Sequence, residues 1–155
     1  MPEKIILPNS YLELAEEELR LGKSVKLLAD GLSMYPFIRG GKDVTEIFPM
    51  SEDEELDLGR VYMFKHKGKY IIHRFIEKRG DEYVMMGDGN RGNPEKVKRK
   101  DVVGILKFIH RTDGRIIDCT SPQWITKGKV WVRMRPLRRY LLSACHRLSN
   151  LGIIR

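Results

Sequence analysis

Apolar and polar positions alternate in short runs along most of this chain. Residues 24–29, 44–48, 61–65, 70–78, 83–86, 102–109 and 116–118 read as strands. Lys67-Gly68-Lys69, Arg79-Gly80-Asp81 and Thr112-Asp113-Gly114-Arg115 supply turns between them. Short strands at such close spacing predict a mainly β fold of coiled, curved antiparallel sheets. Three stretches depart from the pattern. Residues 10–21 predict a short helix with Leu12, Ala15 and Leu19 on one face and Glu16, Glu17 and Arg20 pointing mostly elsewhere. Ser10 and Glu13 are spaced as a capping box and Gly22 is the stop. Residues 51–57 are acidic without the alternating ligands and fixed glycine of a calcium loop, which predicts a solvated loop. Pro136 starts a predicted helix to about residue 150, with Leu137, Leu141, Ala144 and Leu148 on one face and Arg135, Arg138, Arg139, Ser143 and Arg147 over the other.

Charge separates the last third from the rest. From Cys119 onward there are eight basic residues, Lys127, Lys129, Arg133, Arg135, Arg138, Arg139, Arg147 and Arg155, and no acid. The remaining 21 of the 29 basic residues balance all 21 acidic ones, so the tail carries the net charge of +8. The expected organisation is a β domain over 1–118 and a basic amphipathic extension over 119–155. A basic helix with Trp124 and Trp131 just upstream fits the headgroup layer of an anionic membrane. The other reading packs the same helix back on the β core with its charges in water. No helix-turn-helix, zinc-finger or aromatic RNA-binding signature is present, so a nucleic-acid partner is not expected.

Composition sets the remaining bounds. With 155 residues, 41% hydrophobic and 32% charged, the chain reads as a soluble globular protein. It contains no run of about eighteen apolar residues. Residues 1–8 hold three consecutive apolar residues before a proline, too short for the apolar core of an export signal, so the expected location is cytoplasmic. Cys119 and Cys145 read as reduced thiols, and no metal or other cofactor is expected.

The candidate chemistry begins at Gly31-Leu32-Ser33-Met34-Tyr35-Pro36. Pro36 lacks an N–H and biases Tyr35 away from the helical region, which places Ser33 on a tight irregular turn after a strand. A serine hydroxyl needs a base within hydrogen-bond reach to act as a nucleophile. Of four histidines, His73 stands out, because alternation puts it on one apolar face with Ile71 and Phe75, while Ile72, Arg74 and Ile76 face the other way. His66, His110 and His146 read as solvated. A carboxylate at the far side of the ring would fix its tautomer. Asp88, in Gly87-Asp88-Gly89-Asn90, offers one, and Glu95 and Asp101 are further carboxylates in the same region.

Gly-x-Ser-Met-x-Pro, a histidine-arginine pair in an apolar strand, Gly-Asp-x-Asn and Asp101-Val102-Val103-Gly104, in this order over residues 24–108, resemble the signal peptidase I superfamily of serine peptidases. That superfamily also contains the self-cleaving repressors. The resemblance implies a β-rich catalytic domain that hydrolyses peptide bonds, with Ser33 as nucleophile and its backbone N–H as an oxyanion donor. Bacterial signal peptidases and the repressor branch have lysine at the base position, whereas the endoplasmic-reticulum and archaeal type has histidine. His73 resembles the second type, and Gly31 agrees, since many bacterial enzymes carry a serine there.

Two departures bear on this expectation. Histidine-type enzymes generally have a second aspartate about six residues after the Asp88 position, where this chain has Pro94, followed by Glu95. Asp88 and Glu95 therefore both stand as the third member, with Asp101 a weaker candidate. Typical signal peptidases also carry an N-terminal transmembrane helix, which is not apparent here. The expected activity is a serine endopeptidase acting on a protein or leader peptide, with a shallow apolar groove that takes an extended chain as an added strand. A histidine base predicts activity that rises through about pH 6.5, where ordinary imidazoles titrate. The alternative is a non-catalytic β module that binds peptides or docks on membranes.

Overall fold

The computed structural model describes residues 9–90 and 92–152. Residues 1–8, the capping side chain expected at Ser10, and Arg155 lie outside that description. The chain runs α1 (Asn9–Arg20), β1 (Val25–Leu28), β2 (Val44–Phe48), β3 (Val61–His66), β4 (Lys69–Arg79), β5 (Glu82–Met86), β6 (Glu95–Lys98), β7 (Val102–His110), β8 (Ile116–Asp118), α2 (Pro122–Arg133) and α3 (Arg138–Asn150). All strands belong to one antiparallel sheet in the order β1-β2-β7-β3-β4-β5-β6, with β8 paired to β7. The fold is thus mainly β, with a short helix before the sheet and a basic helix after it, as the sequence pattern predicts. Register shifts at Glu46/Ile47, Met63/Phe64 and Phe75/Glu77 add twist where β2, β3 and β4 bend.

The sheet buries both faces, so alternation separates two cores. Val61 and Met63 of β3 join Leu27, Ile47, Leu106, Ile109 and the α1 residues Ala15 and Leu19. Tyr62 and Phe64 point the other way, to Phe75, Tyr83, Met85 and Ile105. At roughly 1.5–3 kcal/mol for each fully buried large side chain, these cores outweigh any single surface contact.

Several expectations change. Glu16 does not face solvent. It is buried within α1, accepts a hydrogen bond from Tyr70, and pairs with Lys65 at 2.6 Å and Arg20 at 2.7 Å. β6, Glu-Lys-Val-Lys, is too polar to read as a strand, because it is an edge with Val97 alone fully buried. α2 also escaped the pattern, although Ser121 accepts from the Trp124 N–H at 3.3 Å and Pro122 opens the first turn. Pro136 sits in a 3₁₀ turn, Arg135–Leu137, and α3 begins after it.

Residues 119–152 cover one side of the sheet. Trp124 and Trp131 are buried, with Phe37 edge-on to both at 6.3 and 5.6 Å, so neither indole is free to enter a headgroup layer. Among the described residues, no helix is long and apolar enough to cross a membrane.

Candidate active site

Ser33 lies on the loop that leaves β1. Its neighbours Met34 and Ile38 are buried in the core and pin the loop from below, while hydrogen bonds from Tyr35 N to Leu32 O (3.1 Å) and from Ile38 N to Met34 O (3.0 Å) wind it tightly. The Tyr35–Pro36 peptide is cis. Ser33 itself stays half-exposed, and among the described residues its N–H donates to no protein acceptor.

A second turn holds the first in place. Gly89 N donates to Ser33 O at 2.8 Å. A methyl group on Gly87 would fall 2.3 Å from Ser33 O and 3.0 Å from His73 Nε2, and one on Gly89 would fall 2.4 Å from Leu32 O. Only glycine lets these backbones meet. Serine backbone and imidazole therefore flank the same small space. The Gly87–Asn90 turn is gripped from its far side by α2 and α3: Trp131 Nε1 donates to Asp88 O at 3.1 Å, and Arg138 Nη1 to Gly87 O at 3.3 Å and Asn90 O at 3.2 Å. The sequence marks a turn here but not what the turn packs on.

His73, buried on β4, presents Nδ1 to Glu95 Oε2 at 3.0 Å. Glu95 opens β6, opposite Met85 of β5, which in turn pairs with Phe75 of β4, so three adjacent strands set this contact. The Phe64 ring lies edge-on to the imidazole at 6.2 Å. With Nδ1 directed at a carboxylate, Nε2 is the nitrogen available to accept a proton. Ser33 and His73 line one cleft of about 390 Å³. Among the described residues no hydrogen bond joins them. Catalytic hydrogen bonds often tighten only when substrate is bound.

The other two carboxylates have different partners. Asp88 forms two parallel bonds with Arg74, Nε to Oδ1 and Nη2 to Oδ2, both 2.7 Å, and neither side chain reaches solvent. The guanidinium lies over the Phe37 ring at 4.8 Å and the Trp124 ring at 4.7 Å and also donates to Gly59 O. Asp101 accepts from Lys98 N at 3.0 Å and caps the 3₁₀ turn Arg99–Asp101. The structure thus brings Ser33, His73 and Glu95 together and sends Asp88 to the core. Of the remaining histidines, His110 is not simply solvated, since Nε2 lies 2.8 Å from Glu46, and His146 stacks on Tyr35 with ring centres 4.6 Å apart.

The cleft lies between two strand edges. β1 pairs with β2 alone, and residues 69–73 of β4 pair with β3 alone, because β5 joins β4 only from Arg74 onward. Leu27, Leu28 and Ala29 line it from one side and Tyr70, Ile71 and Ile72 from the other. No protein-family model matches this chain, and no curated protein matches it.

Proposed function

We propose that this protein is a serine endopeptidase of the signal-peptidase-like type, with Ser33 as nucleophile, His73 as general base and Glu95 as the group that orients His73. The observation that carries the reading is the His73 Nδ1 to Glu95 contact at 3.0 Å in a cleft that Ser33 also lines. The order of the motifs and the histidine at the base position support it.

In this mechanism the substrate enters extended, adding main-chain hydrogen bonds along the open edges of β1 and β4. Ser33 Oγ attacks the scissile carbonyl carbon while its proton passes to His73 Nε2. The tetrahedral oxyanion takes the free Ser33 N–H as a donor. Glu95 holds the Nδ1–H and stabilises the imidazolium. That imidazolium returns the proton to the leaving amine as the C–N bond breaks. Water, deprotonated by the same ring, then releases the acyl group and restores the serine.

The substrate class in this reading is an unstructured protein segment or leader peptide, taken as an extended chain between the β1 and β4 edges. Cys119 and Cys145 are unpaired, which supports a reducing, cytoplasmic setting. Burial pushes the Cys119 thiol up to about 12, which removes it as a competing nucleophile. The test is digestion of an unstructured peptide library with new termini read by mass spectrometry. Wild type should generate termini that Ser33→Ala and His73→Ala lack. Equal cleavage by Ser33→Ala would remove the mechanism. No cleavage by folded wild type, with library peptides still bound, would favour a non-catalytic peptide-binding module.

A further inference from the structure

α3 packs on the protein through Leu142 and through Arg138, which the sequence pattern puts on the polar face, while Leu141 is half-buried and the other leucine-face residues stay exposed. Arg138, Leu142, Cys145 and His146 meet the body: Arg138 and Leu142 are buried, Tyr35 Oη donates to Cys145 O at 3.2 Å, and His146 stacks on Tyr35. Leu137, Tyr140, Ala144, Leu148 and Leu151, spaced three and four apart, form a separate stripe. That stripe stands in solvent, with Leu137 53% exposed, Tyr140 64% and Leu151 73%. Exposed Arg139 and Arg147 lie on the same helix.

A basic cleft adjoins the N-terminal end of α3. It has a volume of about 620 Å³ and is lined by Arg135, Arg138 and Arg139 with Asn90 and Gly92. Arg138 is only 3% exposed, yet its Nε and Nη2 have no hydrogen-bond partner among the described residues. Burial pushes its pKa down, and the carboxylate that opposes this, Asp88, is already committed to Arg74. A buried cation with unused donors is costly until an anion arrives.

We propose that α3 docks this protein on an anionic lipid bilayer, its leucine stripe entering the interface while the arginine cleft takes a phospholipid headgroup. Charge complementarity selects this occupant. Two copies meeting through the stripe would set Arg139 and Arg147 against one another, and residues 119–155 offer no acid to pair them. An anionic membrane supplies both the apolar layer and the phosphates.

Vesicle co-sedimentation tests this without any catalytic readout, so its outcome is independent of the peptidase reading. The full chain should sediment with phosphatidylglycerol-containing vesicles at low salt and stay soluble with pure phosphatidylcholine. Arg135→Gln/Arg139→Gln should weaken binding about thirtyfold, from two lost charges near the surface. Leu137→Gln/Tyr140→Gln/Leu151→Gln should weaken it by about tenfold or more. All five substituted side chains are exposed, so both variants should keep the wild-type Tm. Absence of wild-type binding, equal binding to both vesicle types, or wild-type binding by both variants would overturn the proposal. So would a solution dimer that the apolar triple substitution dissolves.

Discussion

His73 and Arg74 are neighbours on β4, both buried, and each meets a carboxylate from the segment after β5. Their surroundings differ in what the pair can do. Arg74 and Asp88 close on each other with both oxygens used, the guanidinium against two aromatic rings and both side chains out of reach of water. His73 offers one nitrogen to Glu95 and leaves the other beside Ser33, at a cleft. The first pair has no spare valence and ties α2, the Gly59 loop and the Gly87–Asn90 turn to the sheet. The second has one left over, which is what proton transfer needs. Strand alternation alone separates them, since consecutive residues must point to opposite faces.

That contrast can be broken from either side. Asp88→Asn should have the largest effect on stability, about 3–5 kcal/mol, because it leaves the Arg74 guanidinium buried without a counter-charge. Thermal unfolding would show this as a Tm lowered by roughly 10 °C. Gly87→Ala should cost about 1–3 kcal/mol as the added methyl pushes Ser33 O and His73 apart, and it should lower cleavage at temperatures where the variant is folded.

The smallest effect concerns Glu16, which contacts neither pair. Burial pushes its pKa up, but hydrogen bonds from Lys65 and Tyr70 outweigh that and hold it below the ordinary value of 4.5. A carboxylate lowered on folding contributes stability that is fully present above the unfolded value and is lost as pH falls through the folded one. Glu16→Gln should therefore lose less Tm than wild type between about pH 5 and pH 3, as followed by circular dichroism.

The strands could be read from sequence where β-branched and aromatic residues form a short run between turn signals, as in residues 61–65 and 70–78, which are buried on both faces over much of their length. β6 could not, because an exposed edge strand such as Glu-Lys-Val-Lys carries the polar residues that discourage further pairing. The residue types of the site were also legible: a serine before a proline-containing turn, and a histidine on an apolar strand face. Which carboxylate serves His73 was not. Asp88 and Glu95 lie within seven residues of each other, and the choice depends on β6 pairing with β5 and on Arg74 claiming Asp88 first. The amphipathic character of α3 was visible as a pattern, but its orientation was not: Arg138, expected on the polar face, is buried with Leu142, Leu141 is half-buried, and Tyr140 and Leu151 join Leu137, Ala144 and Leu148 on the exposed side.

The most direct test of this division is the cleavage rate of Glu95→Gln and Asp88→Asn measured side by side, at neutral pH and at a temperature where both are folded. Glu95→Gln should keep a Tm close to that of wild type and lose about a hundredfold or more in kcat, since the ring loses the group that fixes its tautomer. Asp88→Asn should cleave within a few-fold of wild type despite its lower Tm. The reverse order, with Glu95→Gln fully active and Asp88→Asn folded but inactive, would contradict the assignment of Glu95 to His73.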